Sequence, residues 1–173
     1  MGGSPNYLYG PLTALGLAVA ALAAVIDQAA KLWLIFSFRL ADRGAVVLTP
    51  FLDLVLTWNT GISYGLFRQD TDFGRWVLLD IKAAAVIVLW VWLARVRTKI
   101  VAVALGLIIG GAIGNAIDRV AYGAVADYVL FHLDFSGTRF DWYVFNLADA
   151  AIVAGVIGLL YESFLGGHAA KAP

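Results

Sequence analysis

From Ile100 to Ile117 the chain passes eighteen residues without one charged side chain. A helix needs ~20 such residues to cross ~30 Å of hydrocarbon, at ~1.5 Å per residue. Three further runs have similar length. Residues 10–26 are uncharged, and the apolar character continues past Asp27 and Lys31 to Phe36. Trp76–Ala94 is interrupted early by Asp80 and Lys82, and Trp142–Tyr161 holds the single charge of Asp149. With 62% hydrophobic and 14% charged residues and a mean hydropathy of +0.85, water could not cover this much aliphatic surface. Lipid must be the solvent. The expected fold is an all-α membrane protein, a single domain of four helices spanning about residues 11–36, 76–94, 100–118 and 142–162. Two long loops, about 37–75 and 119–141, then fall on one side of the bilayer. The first run lacks a basic leader and is long for a signal-peptide core, so it reads as an uncleaved span.

The same composition excludes several classes. A formal net charge of zero leaves no case for a polybasic nucleic-acid binder. There are no cysteines, and the two histidines, His132 and His168, lie far apart in sequence, so no metal site and no cofactor is expected. Charge does not fix the orientation. The tight turn between the second and third runs carries Arg95, Arg97 and Lys99, but the opposite loops carry Arg39, Arg43, Arg68, Arg75, Arg119 and Arg139.

Neither long loop reads as a simple tether. Residues 51–58 alternate, with Leu52, Leu54, Leu56 and Trp58 on one face and Asp53, Val55 and Thr57 on the other. Pro50 precedes this strand pattern, and Asn59-Thr60-Gly61 closes it. Tyr128–Leu133 is a second short apolar run. A small β-sheet at the membrane surface would fit, its apolar face against lipid or the bundle.

Placed by depth, the polar residues gather at one end of the bundle. Asp27 lies near the far end of the first span, and Lys31 sits four residues on, spaced for an ion pair. Asn115, Asp118 and Arg119 end the third span on that side, while Asn146 and Asp149 lie ~6–11 Å inside the fourth. Asn59 and Asp127 belong to the loops at the same level. Ionisable groups at membrane depth are expensive unless paired or hydrated, and usually serve a pathway or a reaction. Asn115 and Asp118, like Asn146 and Asp149, are three residues apart and share a helix face. Gly106, Gly110 and Gly114 recur every fourth residue and read as a helix-packing ridge.

Five blocks carry a family resemblance: Asp27 to Lys31; Asn59-Thr60-Gly61-Ile62-Ser63-Tyr64; Gly110 to Arg119; Val125-Ala126-Asp127-Tyr128; and Phe145-Asn146-Leu147-Ala148-Asp149. In this order, over about residues 20–155, the chain resembles the lipoprotein signal peptidases (signal peptidase II), membrane aspartic proteases of bacteria. The resemblance implies cleavage of diacylglyceryl-modified prolipoproteins before their lipidated cysteine, at the outer face of the cytoplasmic membrane. It implies Asp127 and Asp149 as catalytic residues, with Asn59, Gly111, Asn115, Asp118, Arg119 and Asn146 shaping the site and Asp27 and Lys31 supporting it. It also implies cytoplasmic termini, and with them an extracytoplasmic sheet and a site-covering loop within 119–141, membrane lipids as surroundings and binding of the cyclic peptide globomycin. Tyr64 and Tyr128 stand where the family often has phenylalanine. The segment between Asp127 and Asn146 is long for the family and unusually charged through Asp134, Arg139 and Asp141.

Hydrolysis without serine, cysteine or metal needs an activated water. Two carboxylates sharing one proton can supply the base and the acid. Asp53→Asn and Asp134→Asn are expected to retain activity. Asp80 and Lys82 match no block and read as an outward polar pair. Two rival readings are a serine–lysine peptidase using Ser63 with Lys31 or Lys82, and a small proton-coupled transporter. The second suffers from the apolar opposite halves of the spans.

Overall fold

The computed structural model describes residues 8–60, 72–135 and 137–166. Helix α1 (Thr13–Leu32) continues through a π-helical turn, Trp33–Ser37. A short helix α2 (Leu40–Arg43) and two strands, β1 (Val46–Thr49) and β2 (Leu52–Asn59), follow. Helix α3 (Asp72–Leu93) leads by a tight turn into α4 (Lys99–Tyr122). The hairpin of β3 (Val125–Phe135) and β4 (Thr138–Phe145) then delivers the chain to α5 (Leu147–Tyr161), which ends in a second π-helical turn. Ser63, Tyr64 and the side chain of Lys82 lie outside the described residues; Asp80 is exposed.

Among the described residues, three helices are long and apolar enough to cross a membrane: α1 with its π turn, α4, and α5 with its π turn. In α3 the corresponding apolar stretch among the described residues is Ala83–Leu93. Burial on these helices is inverted relative to a soluble protein. Leu22, Val25, Ile87, Val88, Val153 and Ile157 face outward, while Asp27, Lys31, Asp118 and Asn146 are buried. Such an outer surface is stable only against lipid.

Helix α4 is central and packs against α1, α3 and α5. Ala20, Leu93, Val96, Ala102, Leu105 and Ile109 form the bundle core. The glycine ridge sets how closely the helices approach. A methyl group at Gly106 or Gly110 would run into the α1 carbonyl oxygens of Gly16 and Ala20, and one at Gly111 into that of Ala148 in α5. Backbone meets backbone at these points, so the bundle's polar end is held by direct helix contact.

The segments between helices differ from the expected loops. All four strands join one antiparallel sheet, in the order β1-β2-β3-β4. Residues 119–122 are the last turn of α4 and Tyr128–Leu133 is the middle of β3, so the described part of 119–141 is mostly a helix end and a β-hairpin. Trp142–Phe145 belongs to β4 and not to the fourth span. This aromatic, β-branched stretch is hydrophobic enough to extend a span on hydropathy, but it pairs with β3.

Strand β2 also departs from its expected alternation. A bulge between Leu54 and Thr57 shifts the register, and Trp58 beyond it is exposed, while Asp53, ahead of the bulge, is buried. Arg139 Nη2 donates to Asp53 at 2.7 Å, and His132 Nε2 lies 3.3 Å from its other oxygen. The Arg139 hydrogen bond holds the Asp53 carboxyl below the usual carboxylate range. Asp53 is therefore a tie between β2 and β4. Asp53→Asn is expected to lower the thermal midpoint by several degrees, whereas exposed Asp134→Asn leaves it unchanged; equal midpoints would remove the tie. Because the folded carboxyl is depressed, the contribution is full above its ordinary range and fades as pH falls below it.

Candidate active site

The site is assembled around the N-terminus of α5. The first N–H groups of a helix have no intrahelical acceptor, and here each of the first three is met by a side chain. Leu147 N donates to Tyr128 Oη (3.3 Å), Ala148 N to Asp27 Oδ1 (2.9 Å) and Asp149 N to Asn146 Oδ1 (2.9 Å). Asn146 N in turn donates to Asp149 Oδ2 at 3.3 Å, completing a capping box. Asn146 and Asp149 therefore stand at the mouth of the helix, not ~6–11 Å inside it as counting from Trp142 implied. A carboxylate in this first turn also faces the positive end of the helix dipole.

Asp127 reaches the same place from β3. Asn146 Nδ2 donates to Asp127 Oδ1 at 2.6 Å and to Asn115 Oδ1 at 3.0 Å, while Asn115 Nδ2 donates to Asp149 Oδ1 at 2.8 Å. Two amides thus bridge the two carboxylates, with Asn146 from the start of α5 and Asn115 from α4. On its other side Asp127 Oδ2 accepts from Asn59 Nδ2 at 3.0 Å, and that amide also donates to Tyr143 Oη at 2.8 Å. Burial pushes the Asp127 carboxyl up to about 6, the neighbouring Asp149 charge adding to the rise and the Asn59 and Asn146 amides opposing it. Arg119, buried beside them, donates from Nη1 to Asn115 O at 3.3 Å, and its charge acts on both Asp127 and Asp149.

Beneath the pair lies a buried ionic cluster. Lys31 Nζ is 2.7 Å from Asp27 Oδ2, 2.8 Å from Asp118 Oδ2 and 3.2 Å from Asn115 Oδ1. Those contacts match the three donors of an ammonium group, so Lys31 is not placed to act as a base for a serine. Asp118 Oδ2 also accepts from Ala126 N at 3.1 Å, just after Gly123 turns the chain out of α4 in the left-handed region (φ 77°). Gln28, which sequence reasoning passed over, donates to Asp118 Oδ1 (2.8 Å) and Gly114 O (3.0 Å). Gly114 leaves the room that the Asp27 carboxylate occupies.

All the candidate residues, Asn59, Asn115, Asp118, Arg119, Asp127, Asn146 and Asp149 with Asp27 and Lys31, are thereby linked at one end of the bundle. Gly111 belongs with them only as the α4–α5 contact point. A crevice of about 310 Å³ between α4 and α5, lined by Lys99, Ile100, Val103 and Gly158, lies at the opposite end of the helices and has no part in this constellation.

Residues 19–165 match the family model described as signal peptidase (SPase) II. The chain belongs to the signal peptidase II family. It is 62% identical over 158 residues to the lipoprotein signal peptidase of Nitrobacter hamburgensis, covering 91% of this chain and 96% of that one. The lipoprotein signal peptidase of Rhodopseudomonas palustris is 55% identical over 92% of this chain and 97% of its own. A solved structure of a bacterial membrane enzyme superposes with a TM-score of 0.68 at 25% identity, covering 92% of each chain. Both bridged aspartates come from blocks that lie within the family match.

Proposed function

We propose that the chain is an aspartic endopeptidase that removes signal peptides from diacylglyceryl-modified prolipoproteins, cleaving before the lipidated cysteine. The observation that carries the chemistry is the pair of carboxylates, Asp127 and Asp149, held by the Asn146–Asn115 amide bridge at the polar end of an otherwise apolar bundle. The 22-residue helix α3 serves as the fourth span. The protein sits in the bacterial cytoplasmic membrane with cytoplasmic termini and the acids toward the outer face; the family resemblance supports this orientation. Globomycin would occupy the same site.

A water between the two carboxylates attacks the scissile carbonyl. Asp149, set where the α5 dipole favours an anion, takes the water's proton, and Asp127, the carboxyl raised by burial, donates its own to the carbonyl oxygen. Proton return to the leaving amine and collapse of the tetrahedral adduct break the peptide bond. Asn115 and Asn146 fix the spacing of the pair, and Arg119 orients the substrate backbone.

Purified protein in proteoliposomes should cleave a lipidated precursor and leave the unlipidated one intact; no cleavage of either would overturn the reading. The pH profile tests the proton assignment. Asp127 holds its proton below about 6 and loses it as pH rises through that value. The acid is then lost, so kcat/KM falls on the alkaline side. The limb in kcat should lie higher, because bound substrate expels water and raises the carboxyl further. A kcat/KM that climbs through this range would assign the proton elsewhere.

A further inference from the structure

Asn59 enters the site from β2, and its amide serves two acceptors. Nδ2 donates to Asp127 Oδ2 at 3.0 Å and to Tyr143 Oη at 2.8 Å, so one N–H is aimed at the carboxyl and the other at the phenol. Tyr143 belongs to β4, which is not the neighbour of β2, because β3 lies between them. Strands two places apart are ~9–10 Å apart, so this bond passes over β3 and needs a side chain as long as tyrosine.

The register of the hairpin accounts for the reach. Phe140 pairs with Leu133 and Asp141 with His132, so simple alternation from the hairpin end would send Tyr143 to the face of Asp141, away from Asp127. Between the pairs His132–Asp141 and Leu130–Val144, however, two β4 residues, Trp142 and Tyr143, oppose the single Phe131. This bulge reverses the phase. Counted back from Phe145, which pairs with Val129, Tyr143 falls on the side of Val129 and hence of Asp127. Bulges recur beside active sites because they re-aim a side chain in this way. Tyr143 is half-buried there, while Trp142 next to it is exposed.

We propose that Tyr143 is a positioning residue for the reaction, its phenol oxygen fixing the Asn59 amide so that the amide stays on Asp127. An asparagine side chain turns about two bonds, and a single hydrogen bond to a carboxylate leaves it able to swing toward water. The second bond, from a strand on the far side of β3, removes that freedom. The consequence is chemical, because an amide hydrogen bond to the Asp127 carboxylate favours the ionised form and so helps decide when the acid's proton leaves. Asp149 in α5, Arg119 in α4 and Lys31 in α1 act on Asp127 by charge, and Tyr143→Phe alters none of these. This inference rests on the proposed role of Asp127 as the acid.

Tyr143→Phe keeps the ring and removes the acceptor. With full-length protein in proteoliposomes and a lipidated precursor, the plateau of the kcat/KM profile should fall by about 2–10-fold, the worth of one hydrogen bond. Its alkaline limb should move to higher pH, because Asp127 keeps its proton longer. Asn59→Ala should move the limb further in the same direction, and adding Tyr143→Phe to Asn59→Ala should change neither quantity again. Trp142→Phe, at the neighbouring position of the bulge, should behave as wild type. An unmoved limb in Tyr143→Phe, or an undiminished further loss in the double variant, would show that the phenol does not act through Asn59 and would overturn the proposal. The Asp127 proton can also be followed without turnover, from the protonated-carboxyl infrared band that Asp127→Asn removes. If that band titrates higher in Tyr143→Phe while even the wild type fails to cleave, the positioning role stands and the peptidase reading falls. If the band is unmoved while the wild type cleaves normally, the peptidase reading stands and the positioning role falls.

Discussion

Asp127→Asn and Asp149→Asn should each reduce processing of a lipidated precursor by roughly 10²–10⁴-fold or more, the range associated with losing a positioned acid or base. Neither amide can take or give the proton that the water and the carbonyl oxygen exchange. The double variant should be little worse than either single one, because the two groups act as a unit. Each substitution also disturbs hydrogen bonding. Asp127 accepts from Asn59 on one oxygen and from Asn146 on the other, and Asp149 accepts from Asn115 and from the Asn146 backbone. An amide in either position turns one of these acceptors into a donor, a mismatch of about 1–3 kcal/mol. Membrane insertion and thermal midpoint must therefore be measured beside cleavage. The dyad stands if activity is lost in protein that remains inserted and folded. Substantial cleavage by either folded variant would remove that aspartate from the chemistry.

Much of this site could be read before any coordinates, because its residues announce themselves by cost. A carboxylate or ammonium in an apolar run demands a partner, so Asp27, Lys31, Asp118 and Asp149 stand out, and the four-residue spacing of Asp27 and Lys31 correctly suggested a pair. The start of α5 was misread although its signal was present. Asn146-x-x-Asp149 is the spacing of a capping box, and it places the helix start at Leu147, five residues past the hydropathic boundary at Trp142. The burial of Asp53 was hidden for a different reason. Asp53 is enclosed by His132 of β3 and Arg139 of β4, and no alternation within β2 announces those partners. Tyr143 and Gln28 carry no local signal at all. One is an aromatic in a strand and the other an amide in a helix, and their contacts with Asn59 and Asp118 span 84 and 90 residues of sequence.

Lys31→Met should be among the most destabilising single substitutions in the chain. Lys31 and its partners Asp27 and Asp118 are almost wholly buried, and the cluster already carries two negative charges against one positive. Removing the ammonium leaves two carboxylates facing each other with no cation between them, and breaking a buried pair in this way costs about 3–5 kcal/mol. The damage would spread. Asp27 accepts from Ala148 N at the start of α5 and Asp118 from Ala126 N at the start of β3, so both elements that present the proposed catalytic pair are anchored through this cluster. Charge can be separated from packing by adding Asp27→Asn and Asp118→Asn to Lys31→Met. Each asparagine keeps an oxygen for its backbone N–H, so the triple variant should recover much of the lost thermal midpoint. A Lys31→Met midpoint equal to wild type would show that the cluster is not charged as drawn. A triple variant no more stable than Lys31→Met would show that packing, not repulsion, is responsible. The lysine charge also favours the ionised form of Asp127. The Lys31→Met protein that does fold should therefore keep its Asp127 proton to higher pH, moving the alkaline limb of kcat/KM upward and linking the buried cluster to the proton on which the proposed reaction depends.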